Sequence, residues 1–194
     1  SRRWRLALPG FSRIGGAVVA IAAVTALVAP IAVAIVPRFA GQEATGRPAG
    51  AGGPGSLAEL EAAVRVDPDD PGTRLALAEA LLATGRPSEA AEWFQATLEL
   101  EPRSLRALLG LGAILLESGR PDGAFAAFDL VLEIDPDQPD ALLFRAVSRL
   151  TIDGRVSAAI RADLESFLRV APAADSRRAM VVSLLEGGSP VANP

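Results

Sequence analysis

The chain has 194 residues, 50% hydrophobic and 22% charged, enough for one domain and an accessory segment. Its formal charge of −4 is unevenly placed, with six Arg and one acid up to Ser56 against thirteen Arg and twenty-two acids after it. A basic end suited to a membrane surface therefore leads into an acidic body, a poor partner for nucleic acid, and without His, Cys, Tyr or Lys the usual general base, thiol nucleophile, Schiff-base amine and soft metal ligands are missing.

No catalytic residue, metal site or cofactor is expected, and the chain reads as a non-enzyme. Residues 1–13 form a basic terminus with Arg2, Arg3, Arg5 and Arg13. Residues 14–36 follow without a charge and include eleven Val, Ile or Leu. That length matches the roughly 20 residues a helix needs to cross the hydrocarbon core. Pro30 and the Gly15-Gly16 pair are tolerated better in a spanning helix than in a soluble one. The Arg excess before the span predicts a single-pass plasma-membrane protein with its N-terminus inside and its body extracytoplasmic. Residues 37–56, rich in Gly, Ala and Pro from Gly41 onward, read as a flexible linker.

The body, residues 57–186, is predicted to be all helical. Ser56 and Glu59 have capping-box spacing, and Leu57, Leu60 and Val64 make one apolar stripe. This segment matches the second helix of a repeat and acts as an N-terminal cap. Two helix pairs follow, at about 73–84 with 88–101 and 104–118 with 122–134. Gly85 and Gly119 end the first helices, and Pro87 and Pro121 open the second ones. Ala78 and Gly112, Ala90 and Ala124 are small enough for close approach, while Phe94 and Phe128 fill the space between pairs. A stretched third pair runs over about 140–152 and 157–170, with Ala146, Ala159, Leu164 and Phe167 as packed faces. A capping helix ends at Gly187-Gly188, and the tail 187–194 is expected to be disordered.

The acidic-Pro pairs Asp67-Pro68, Glu101-Pro102 and Asp135-Pro136 recur every 34 residues, and the Leu, Gly-Arg-Pro, Ala and Phe positions recur with them. A 34-residue period of two helices and a tight turn is the signature of the tetratricopeptide repeat, which the chain resembles over residues 57–186. The resemblance implies a helical-hairpin solenoid of about three repeats with capping helices, after the transmembrane helix. It also implies a concave groove for a partner protein or peptide, here Leu75, Glu79 and Leu82, then Arg106, Leu109, Ala113 and Leu116, then Phe144, Ser148 and Thr151. That lining is mostly aliphatic and suits an amphipathic helix laid apolar side down.

A chaperone-type carboxylate clamp needs Lys and Asn, and the chain has no Lys and its only Asn at Asn193. Trp93 reads as core filling, and the carboxylates of the inter-repeat turns read as turn and cap residues. An anchor, a low-complexity linker and a half repeat also resemble the repeat portion of cytochrome c maturation proteins of the CcmI/CycH type. That resemblance implies an apocytochrome C-terminal helix as partner. The competing expectation is a structural or assembly subunit of a membrane complex, held through the span by small residues such as Gly15, Gly16 and Ala20.

Overall fold

The structure, a computed structural model, describes residues 56–187. The expected basic terminus, transmembrane helix and linker, and residues 188–194 of the tail, lie outside the described residues. Within them there are eight helices and no strand. These are α1 (Leu57–Val66), α2 (Pro71–Ala83), α3 (Pro87–Leu100), α4 (Leu105–Glu117), α5 (Pro121–Ile134), α6 (Pro139–Asp153), α7 (Ala158–Val170) and α8 (Arg177–Leu185). None of them is long and apolar enough to cross a membrane.

Local chemistry sets the boundaries. Ser56 and Glu59 form the reciprocal capping box at α1. Asp70 caps α2 by accepting from the Gly72 and Thr73 amides at 3.2 and 3.1 Å, with Pro71 fixed at the first helical position. α2 and α4 end alike: the amide after the glycine bonds the carbonyl five residues back (Arg86 to Leu81 and Arg120 to Leu115, each 2.9 Å), and the glycine bonds the carbonyl three back. That closure needs a residue at positive φ, supplied by Gly85 at 76° and Gly119 at 70°. In the third repeat only the simpler bond from Gly154 to Leu150 forms, at 2.8 Å. There the stretch predicted from spacing resolves into a longer first helix and a longer turn, with Val156 and Ser157 ahead of α7.

Each helix packs on its neighbours in sequence, and the further principal contacts join α2 to α4 and α4 to α6. This is the nearest-neighbour pattern of a solenoid of helix pairs. The core runs through it as two linked clusters, one around Phe94 and the other around Phe128, Phe144 and Phe167. Glycine makes two close approaches possible: a Cβ at Gly110 would lie 2.4 Å from the Phe94 ring, and one at Gly112 would lie 2.8 Å from Phe128. Two packing expectations are corrected. Ala159 is exposed and Ile160 takes its place in the core, because the longer turn shifts α7 by one position. Trp93 is half-buried and borders a surface cleft, while Phe94 beside it fills the core.

Candidate functional site

The residues expected to line a concave groove fall into two groups. Leu75, Leu82, Leu109, Ala113, Leu116, Phe144 and Ser148 are all buried, from 9% exposed at Leu75 to 0% at Leu109. Their side chains lie between helices, and Ser148 donates to the Phe144 carbonyl of its own helix at 2.7 Å. Thr151 is exposed and donates likewise to Val147 at 2.8 Å. Glu79 and Arg106 keep access to solvent and form an ion pair that joins α2 to α4. What the structure brings together from the predicted lining is therefore this pair, set among packed aliphatic side chains.

The pair is an unusual one. Burial pushes the Glu79 carboxyl above its ordinary 4.5, and the charge and hydrogen bond of Arg106 only partly oppose that. Arg106 Nε is itself buried and has no hydrogen-bond partner. With the folded value above the unfolded one, Glu79 adds stability below 4.5 and loses that contribution as pH rises through its folded value. Glu79→Gln, which stays uncharged, is thus expected to melt no lower than the parent at about pH 7, with the difference closing at about pH 4. Thermal melts at both pH values check this, and a variant clearly weaker at neutral pH would show that the ion pair outweighs its burial.

Two clefts open on the side of the second helices. A cleft of about 310 Å³ is walled by α1 and α3 and floored by Leu77 and Leu81 of α2. Glu61, Val64 and Arg65 stand on one wall, Glu89 and Trp93 on the other. A second cleft of about 230 Å³ has the same construction two repeats on, with α5 and α7 as walls and Arg145 and Arg149 of α6 as floor. Leu77, Leu111 and Arg145 are equivalent positions 34 residues apart, as are Leu81, Leu115 and Arg149. In the middle repeat, Leu115 packs towards Gly123, where a Cβ would sit 3.3 Å away.

The same repeat position thus gives an apolar floor in one cleft and a cationic one in the other. Arg145 donates to Asp163 on α7 at 2.6 and 3.0 Å and to Asp129 on α5 at 2.5 Å. Its hydrogen bond to Asp163, against a burial cost, holds the Arg145 guanidinium charged more firmly than usual. Arg149 lies over the Phe125 ring at 5.3 Å and pairs with Asp153 at 3.3 Å. These Arg residues escaped the sequence reading, although laying the third repeat on the first two at 34-residue spacing displays both substitutions. The turn carboxylates have the expected structural roles: Asp70 caps α2, and Asp135 accepts from the Asp137 amide at 3.2 Å.

Two overlapping stretches, residues 44–107 and 85–150, match the family model described as tetratricopeptide repeat. No curated protein matches the chain in sequence. Among solved structures, the one described as "MamA RS-1 ArsTM double mutant" is similar at a TM-score of 0.57 and 15% identity, covering 84% of this chain and 93% of that one. At that identity the likeness is one of fold.

Proposed function

The chain belongs to the tetratricopeptide repeat family, whose model spans residues 44–150, and we propose that it is a membrane-tethered scaffold that holds an apolar-sided helical segment of a partner protein. The family's general role is protein–protein interaction without catalysis, and this chain lacks the His, Cys and Lys that usually supply the base or activated nucleophile of a catalytic set. The observation that carries the reading is the cleft between α1 and α3. It sets a half-exposed Trp93 beside Val64 and over Leu77 and Leu81, which are only 1% and 2% exposed, with Glu61, Arg65 and Glu89 at the rim. An aromatic anchor beside an apolar trough with a charged rim is the usual composition of a helix-accepting surface. The Glu79–Arg106 pair is one part of the inner face that a partner can reach, and the buried Leu residues around it hold the first helices at their spacing.

Support for tethering is the uncharged stretch 14–36, and the Arg excess before it favours the extracytoplasmic side for the repeats. Carbonate extraction of membranes should leave the protein in the pellet, and release into the supernatant would remove the anchor from the proposal. The resemblance to cytochrome c maturation proteins makes the C-terminal helix of an apocytochrome the first peptide to try. Its binding to the full-length protein is expected to shift the Trp93 emission. Trp93→Ala, checked for folding by circular dichroism because Trp93 packs against the Phe94 cluster, should weaken binding by 30-fold or more, the scale of an interface hot spot of about 2 kcal/mol. Binding of an amphipathic helix with unchanged affinity in Trp93→Ala would place the site elsewhere.

A further inference from the structure

We propose that the two ends of the stack fit one another, so that α1 of one copy docks on α8 of a second copy and the two complete one repeat. The register of the solenoid carries this. Every second helix of a full repeat buries three core positions: Ala90, Phe94 and Thr97 in α3, then Ala124, Phe128 and Val131 in α5, all at 0 or 1% exposure. In α1 the same positions are Ser56, Leu60 and Ala63, and of these Ser56 and Ala63 are exposed and Leu60 is half-buried. α1 is a second helix that, among the described residues, lacks a first helix on that face.

α8 is the complementary case. Asp175 opens it through the turn that opens α4 and α6: its amide bonds the Pro172 carbonyl at 2.9 Å, as Ser104 bonds Glu101 at 3.0 Å and Gln138 bonds Asp135 at 3.2 Å. A glycine at positive φ, Gly187 at 76°, ends it as Gly85, Gly119 and Gly154 end the other first helices, but four residues after Ser183 where those lie seven or eight after Ala78, Gly112 and Ala146, so α8 is about a turn shorter. Counted from that turn, Ala179 stands where Leu108 and Leu142 are 4% exposed, yet Ala179 is exposed. Val182 stands where Leu77 is 1% exposed, yet it is 40% exposed. Ser183 keeps the small side chain of Ala78, Gly112 and Ala146 at the point of closest approach. α8 is a first helix with the face for its second helix uncovered.

The two faces also match in shape and charge. Gly112 closes on Phe128 in the second repeat, while the third uses the larger Ala146 with the smaller Leu164. Ser183 opposite Leu60 matches the small residue–Leu pair of the third repeat, while the first repeat combines Ala78 with Phe94. Residues 56–104 carry four Arg against ten acids, whereas residues 139–187 carry seven Arg against six acids, so end-to-end contact brings opposite charge together. A helix from the same chain is a poorer occupant for α1. By the 34-residue register it would have to come from residues 37–50, which contain Gly41, Gly46 and Pro48. A proline inside a helix costs about 3 kcal/mol. The contact is head to tail, using different surfaces on the two copies, and it propagates.

The absence of cysteine makes a direct test available. Full-length chains carrying Leu60→Cys and Ser183→Cys are mixed in detergent and oxidised. A disulfide-linked dimer is expected in the mixture and not in either chain alone, and the chain bearing both substitutions should give a ladder of oligomers. Adding Ala63→Arg or, separately, Val182→Asp, both at exposed positions, should abolish the ladder while far-UV circular dichroism stays unchanged. The proposal is overturned if the mixture does not cross-link, if Leu60→Cys links to itself equally well, or if its thiol is shielded from maleimide in monomeric protein. The last result would assign the α1 face to a segment of the same chain.

Discussion

Phe128→Ala is expected to lower the free energy of unfolding by about 3–5 kcal/mol, the cost of emptying a buried aromatic site. Phe128 is fully buried, its ring lies 5.6 Å from Phe144 at an interplanar angle of 43°, and its other side abuts Gly112. A domain has only about 5–15 kcal/mol of stability in total. In a stack held by nearest-neighbour contacts, a weak centre also separates the two ends. Urea unfolding followed by circular dichroism should therefore move to lower denaturant and lose its single-step form. A double-mutant cycle makes the cause specific. Gly112→Ala alone places a methyl 2.8 Å from the Phe128 ring and should cost about 1–3 kcal/mol. Combined with Phe128→Leu it recreates the Ala–Leu pair of the third repeat, and the double variant should exceed additivity by about 0.5–3 kcal/mol. Strict additivity would mean that the glycine is there for another reason.

That pair shows which layer of the structure a sequence of this kind exposes. Gly112 and Phe128 stood out because the repeat prints each constraint more than once, and the backbone needs behind Gly85 and Gly119 are equally local. The helices consequently fall within two residues of the positions expected from caps, prolines and glycines. What did not come through depends on the tilt between neighbours. Leu109 and Leu116 recur on the first-helix face that the family resemblance makes concave, yet α2 and α6 lie close enough to α4 to cover them. A helical period says that a leucine faces something, but not whether that is solvent or the next repeat. Two clefts open between second helices, at positions 34 residues apart whose chemistry changes from Leu77 to Arg145. The first cleft owes its Trp93 wall to a residue whose place beside Phe94 reads as core filling.

Arg177→Leu is expected to have the other large effect, of a different kind. The guanidinium donates to Asp140 on α6 at 2.6 Å and to Asp175 at 2.7 Å, and it lies over the Phe144 and Phe167 rings at 5.9 and 5.3 Å. Burial opposes its charge, but Asp175 and Asp140 outweigh that and hold it ionised more firmly than usual. The Asp140 and Asp175 side chains are 9% and 2% exposed, so both lose this cation inside the protein. Breaking such a buried arrangement by removing one partner costs about 3–5 kcal/mol. The whole of that need not reach the fold, because α8 rests mainly on α7 at the end of the stack. Undocking α8 lets the carboxylates meet water, and the cost then stops at the docking free energy of one short helix. Hydrogen exchange should accordingly rise sharply in α8 while the amides of α2 to α5 keep their protection. Arg177→Lys should restore little, since a single ammonium cannot serve two carboxylates and stack on two rings as a planar guanidinium does. Equal loss of protection in α2 and α8 would show that the cap is bound into one cooperative unit with the first repeat. An Arg177→Leu chain with normal exchange in α8 would shift the burden to Arg178, whose guanidinium donates to the Leu168 and Ala171 carbonyls at 2.6 and 2.9 Å.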